Sequence, residues 1–167
     1  MTDYLLPPDI VDLARRVVEE NAAIGRKIAV AESCTGGLVS AALTEIAGSS
    51  AVLDRGFVTY SNEAKQQALG VAGDIIETFG AVSIACVWSM AKGALERSEA
   101  DVAVAISGVA GPDGGTEMKP VGTVVFAKAR RDGDDKEPEA ELKKFDDNGR
   151  SGIRHQATLC ALELLLP

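Results

Sequence analysis

Apolar positions along this chain switch repeatedly between helical spacing and short continuous runs, and the switches mark out its elements. Ile10, Leu13, Ala14, Val17 and Val18 share one face of a segment with Asp9 in its first turn and Gly25 beyond its end, which predicts a helix over Pro8–Ala23. Residues 27–31 (KIAVA) are short, apolar and β-branched enough for a buried strand, and Leu38, Ala41, Ala42 and Ile46 then return to helical spacing until residues 47–50 (AGSS). In residues 51–60 (AVLDRGFVTY) the second half, 57–60, reads as a strand. Ser61 or Asn62 then caps a short helix over 63–69 that Gly70 stops. One more helical turn is expected at Gly73–Phe79, ended by Gly80. Ser83 caps a longer helix through Glu96, with Ile84, Val87, Trp88, Ala91 and Leu95 facing inward.

The second half continues in the same way. Residues 101–106 (DVAVAI) and 121–128 (VGTVVFAK) read as strands, separated by a loop whose glycines let the backbone approach a ligand closely. The polar run 131–138 predicts a hairpin into a strand over 139–145. A closing helix over 151–166 offers Ile153, Ala157, Leu159, Leu162 and Leu166 for burial. Strands alternating with helices, plus one late hairpin, predict a single α/β domain over residues 1–167. Its expected architecture is three layers, α/β/α, around a mixed parallel/antiparallel sheet.

Composition narrows what such a domain does. A formal charge of −8 with no basic run argues against nucleic acid, because a phosphate backbone is held by clustered Lys and Arg. A small anionic ligand bound by loop amides stays compatible with that charge. The three cysteines are far apart, odd in number and follow no signal peptide, so they read as reduced thiols in the cytoplasm. No apolar run is long enough to cross a bilayer.

Three segments fall where strands hand over to helices or loops, the place for ligand chemistry in such a sheet. The first is Ser33-Cys34-Thr35-Gly36-Gly37, where the helix start is expected to offer unpaired N–H groups to a phosphate or an oxyanion, or simply to be capped by Ser33 or Thr35. The second is Tyr60-Ser61-Asn62 with Lys65, and the third runs from Ser107 to Gly115. Together they supply a nucleophile, a base and backbone donors. Ser33 and Cys34 compete as nucleophile, and adjacent residues usually point apart, so one of them should face the ligand. The lone histidine, His155 beside Arg154, reads as a surface residue, so a Ser-His-Asp triad is not expected. Lys65 in the first turn of a helix is locally unfavourable, since the dipole disfavours a cation there by about 0.3–1 kcal/mol. Burial would depress its pKa further and make it a base; the alternative is an amine that reaches solvent. Tyr60 either packs in the core or relays a proton between serine and lysine. Glu32 has no apolar role and is expected to orient the loop. Asp113 serves a ligand hydroxyl or a turn.

These segments, in this order, resemble the CinA C-terminal domain family, the nicotinamide-nucleotide amidohydrolases. The matching stretches are AESCTGG (31–37), RGFVTYSNEAK (55–65), GAVS (80–83) and SGVAGPDGG…KPVGTV (107–124). The resemblance implies hydrolysis of the carboxamide of nicotinamide mononucleotide to nicotinate mononucleotide and ammonia, with no metal or cofactor. It makes Ser33 the nucleophile, assisted by Tyr60 and Lys65. Substrate contacts, as oxyanion or phosphate donors, then fall to Thr35, Gly36, Gly37 and Asn62, and to Ser107, Gly108, Gly111, Gly114 and Gly115. The start of the last helix departs from the family's Gly-Asp-Arg: it reads Asp147-Asn148-Gly149-Arg150, with Arg154 four residues on. The expected partners are a pyridine mononucleotide and a second copy of the chain in a homodimer, with no nucleic acid and no membrane. The family's N-terminal domain similar to molybdopterin-binding proteins, and its pyrophosphatase activity, are not expected here. The competing readings are a nucleotide-binding module without turnover, in a competence or DNA-damage response, and a Ser-Lys peptidase.

Overall fold

The computed structural model describes residues 3–133 and 138–167. In chain order the elements are α1 (Pro8–Ala23), β1 (Ile28–Glu32), α2 (Leu38–Thr44), β2 (Leu53–Val58), α3 (Asn62–Leu69), α4 (Gly73–Phe79), α5 (Ile84–Glu96), β3 (Val102–Gly108), β4 (Thr123–Arg130), β5 (Glu139–Lys144) and α6 (Arg150–Leu164), with a short 3₁₀ turn at Ser49–Ala51. The sheet order is β2-β1-β3-β4-β5. β1 pairs in parallel with β2 and β3, whereas β4 and β5 run antiparallel, as expected of a mixed sheet.

Alternation along the strands builds two different faces. Val30, Val104, Ile106, Val124 and Phe126 join α1, α2 and α6 in one core. On the other face the strands present mostly alanine, with Ala29, Ala31, Ala103, Ala105 and Ala127 against α3, α4 and α5. Small side chains there let α5 lie close to the sheet, and Gly93 extends that closeness to α3. A β-carbon at Gly93 would run into the carbonyl oxygen of Leu69.

Two predicted elements shift. The second strand covers Leu53–Val58, with Thr59 and Tyr60 beyond its end, because its limits follow the parallel register in which Leu53 pairs with Ile28 and Val58 with Glu32. On α5 the buried side is Cys86, Val87, Met90, Ala91, Gly93, Ala94 and Leu95. Ile84 is exposed and Trp88 only packs against the cluster's margin, because α5 is wedged between the sheet and α3. Leu159 on α6 and Leu166, beyond its end, are partly buried. Residues 134–137 of the expected hairpin connection lie outside the described residues, but the pairing of β4 with β5 is antiparallel as a hairpin requires.

Register also places the chemistry. Glu32, Val58 and Ile106 are level with one another, so Ser33, Thr59-Tyr60 and Ser107 leave the sheet side by side. From β1 the chain goes to β2 on one side, and from β3 to β4 on the other. The crevice between β1 and β3 is therefore a topological switch point.

Candidate active site

The Lys65 side chain is 1 % exposed. Its Nζ lies 3.0 Å from the carbonyl oxygen of Thr59, 3.0 Å from that of Tyr60 and 3.2 Å from Ser33 Oγ. The reading of an amine that reaches solvent is thus excluded. α3 carries the lysine inward because Ser61, as N-cap, accepts from the Ala64 amide and starts the helix there. Burial holds the amine below a lysine's ordinary 10.5. The two carbonyls only accept, so in the neutral amine they take both N–H groups and leave the lone pair to the Ser33 hydroxyl. This is the geometry of a general base against a serine nucleophile.

Ser33 and Cys34 both line the same cavity, and Cys34, 5 % exposed, also belongs to the core that α1, α2 and α6 close. Protonation separates them. Burial pushes the Cys34 thiol up to about 11, which leaves it a poor nucleophile at neutral pH. Glu32 is fully buried, and its two oxygens accept from Thr35 Oγ1 (2.6 Å), the Val39 amide (2.9 Å), the Ser40 amide (3.0 Å) and Ser40 Oγ (2.8 Å). It orients the turn as expected, and in doing so overturns another expectation. The N-terminal amides of α2 are not left open for an anion, and neither Ser33 nor Thr35 is the cap. A carboxylate from the preceding strand satisfies them, and Gly37 stands at the N-cap with φ 101°.

The cavity encloses about 160 Å³ and is lined by Ser33, Cys34, Tyr60, Asn62, Lys65, Ala81, Val82, Ser107, Gly108, Ala110 and Arg150. Ser107 is 2 % exposed and its hydroxyl makes no hydrogen bond among the described residues. Thr35, Gly36, Gly37, Gly111, Gly114 and Gly115 do not line it. Thr35 is tied down by its bond to Glu32, and the Gly111 carbonyl accepts from Arg150 Nη1 (2.6 Å). Tyr60 does not pack in the core: it is 61 % exposed, and its phenolic oxygen accepts from Arg150 Nη2 at 3.0 Å. Tyr60 reaches Lys65 through its backbone carbonyl. His155 pairs with Asp9 at 2.7 Å between α6 and α1, as a residue on the surface. The Thr59 hydroxyl is buried without a hydrogen-bond partner among the described residues.

Arg150, whose corner the sequence marked only as a departure from the family pattern with no role assigned, bridges the loops after β2 and β3. The signal was available: like Lys65, it is a cation in the first turn of a helix. A wider depression of about 550 Å³ opens at the opposite end of the sheet between Arg26, Asp101, Arg130 and Arg131. Its arginines are occupied elsewhere, Arg26 with the Leu165 carbonyl and Arg131 with those of Ala100, Leu95 and Ser98, and no nucleophile lies there.

A hydroxyl and a desolvated amine converging at the switch point of an α/β domain are parts from which a hydrolase can be built. Comparison with known proteins gives the family. Residues 10–167 match the model of the CinA C-terminal domain, and the chain belongs to that family. It is 48 % identical over 157 residues to the nicotinamide-nucleotide amidohydrolase PncC of Escherichia coli (strain K12), covering 94 % of this chain and 93 % of that one. It is 50 % identical over 163 residues to a CinA-like protein of Akkermansia muciniphila, of which it spans 38 %. Its fold matches the crystal structure of the competence/damage inducible protein CihA from Agrobacterium tumefaciens with a TM-score of 0.92 at 50 % identity, over 97 % of this chain and 96 % of that one.

Proposed function

We infer that the protein is a nicotinamide-nucleotide amidohydrolase that converts nicotinamide mononucleotide and water to nicotinate mononucleotide and ammonia. The observation that carries this reading is the 3.2 Å contact between the Lys65 amine and the Ser33 hydroxyl in a buried setting, within a chain 48 % identical to a protein of that name. Lys65 takes the Ser33 proton as the oxygen attacks the carboxamide carbon. The same amine, now protonated, delivers that proton to the departing ammonia, and a water repeats the cycle on the acyl-enzyme. The Cys34 amide and the Ser107 hydroxyl are the donors for the oxyanion, Asn62 and Gly108 border the substrate, and Tyr60 holds Arg150 at the mouth. A cavity of about 160 Å³ is below the ~300 Å³ at which whole small-molecule sites begin, so it takes the carboxamide-bearing ring and leaves the ribose phosphate at the mouth beside Arg150.

The same reading places the protein in the cytoplasm, in pyridine nucleotide salvage, supported by three free and buried cysteines. It also includes a homodimer, supported by the exposed apolar side chains of Val58, Phe79 and Met118. No helix among the described residues is long and apolar enough to cross a membrane. The test is ammonia release from nicotinamide mononucleotide by purified protein. Ser33→Ala is expected to lower the rate by at least about 10³-fold while Cys34→Ala keeps most of it. Saturable binding without product would instead favour the binding module, and equal losses in the two variants would reassign the nucleophile.

A further inference from the structure

Arg154, one turn beyond Arg150 on α6, touches neither the cavity nor any carboxylate among the described residues. Its guanidinium donates from Nε to the Cys34 carbonyl at 2.9 Å and from Nη2 to the Thr35 carbonyl at 3.2 Å. These are the two residues that follow the nucleophile. In a trans peptide the N–H points opposite to the C=O, so a hand on the carbonyl is a hand on the amide. Holding Cys34 C=O sets the direction of Thr35 N–H. Holding Thr35 C=O sets Gly36 N–H, which donates to the Ser33 carbonyl at 3.0 Å and so sets Cys34 N–H in turn. Two peptide units, Thr35–Gly36 and Ser33–Cys34, thus form a hydrogen-bonded relay that starts at a cation and ends on the amide directly after the nucleophile, on a residue that lines the cavity. Such chains polarise cooperatively, and each step makes the next N–H a better donor. The place is tight: a β-carbon at Gly36 would sit 3.2 Å from Arg154 Nη2, and Gly36 has φ 59°.

We propose that Arg154 is a positioning residue for the oxyanion hole, fixing and polarising the Cys34 amide on which the tetrahedral intermediate's oxygen develops its charge. This rests on the amidohydrolase reading of the site. It predicts a loss confined to the transition state, since the ground-state carboxamide carries no such charge.

The experiment compares wild type with Arg154→Ala and Arg154→Lys in three readouts: kcat and KM for nicotinamide mononucleotide, thermal stability, and affinity for two ligands. Pyridine-3-boronic acid forms a tetrahedral adduct on the serine oxygen, whereas nicotinate mononucleotide binds as a ground-state product. In Arg154→Ala, kcat is expected to fall by about 10²-fold with KM within about threefold. Boronate affinity should fall in step with kcat while product affinity holds, and added guanidinium ion should restore part of the rate. Arg154→Lys keeps the charge but not the fork, and should lie between. An unchanged kcat, or boronate and product affinities falling together, would overturn the proposal. If Arg154→Ala does not fold, the lysine variant carries the same comparison. Absence of ammonia release in wild type would defeat the amidohydrolase reading instead, and boronate binding would still test Arg154 without turnover.

Discussion

A lysine amine enclosed by two carbonyls and a hydroxyl, paired with no carboxylate among the described residues, is an expensive residue for the fold to keep. Burial lowers its pKa, so between the folded value and the ordinary 10.5 the unfolded chain binds more protons than the folded one. Stability therefore rises with pH across that window, and the full cost is present below it. Lys65→Met is accordingly expected to raise the melting temperature near pH 6, with the gain shrinking toward pH 10, while lowering turnover by at least about 10²-fold. A variant that melts earlier at pH 6 would show that the amine contributes to stability instead. In wild type, kcat/KM should climb with pH as the amine loses its proton, without a thiolate limb below the Cys34 value of about 11. At this scale the sequence was informative where a residue broke a local rule. Lys65 stood in a helix's first turn and Glu32 ended an apolar strand, and both proved to be anchors of the site. Whether the amine faced serine or solvent was not legible, because sidedness on an eight-residue helix depends on what packs against it.

Elements were legible through period and punctuation. Pro8–Ala23 matches its expected limits, and Ser61, Gly70, Ser83 and Gly80 end or begin helices as their chemistry requires. β2 was misplaced because strand limits are set by the partner, and its partner is 25 residues upstream at Ile28–Glu32. The close approach of α3 and α5 gives a prediction of its own. Gly→Ala inside an exposed helix gains about 1 kcal/mol from propensity. At Gly93 the added methyl meets the Leu69 carbonyl, and overpacking of that kind costs about 1–3 kcal/mol. The clash wins, so Gly93→Ala should destabilise the protein in urea titrations. It should also reduce kcat, because α3 carries Lys65. A stabilised variant would mean the two helices part without effect on the site.

The whole molecule draws the site from five segments that are distant in sequence. Residues 33–34, 60–65, 81–82, 107–110 and Arg150 meet only after the sheet is ordered and α6 has packed across it. Exposed apolar side chains gather near this mouth, with Tyr60, Phe79 and Met118 largely uncovered. If a second copy covers them, sedimentation should report a dimer at micromolar concentration, and Phe79→Glu combined with Met118→Glu should yield a monomer. A wild-type monomer at every concentration would remove the dimer from the reading.

Sequence alone determined the layers, most helix limits (α2 ends at Thr44, short of the expected 47–50) and the three segments that converge on the crevice, because hydrophobic period, capping and glycine conformation act over a few residues. The tertiary structure decided the rest. It showed that Ser33 and Cys34 share one cavity, that Glu32 fills the helix end an anion was expected to occupy, and that two arginines of the last helix hold the site's loops. Those outcomes depend on register between strands and on helices arriving from more than 100 residues away, and no local pattern encodes an arrival.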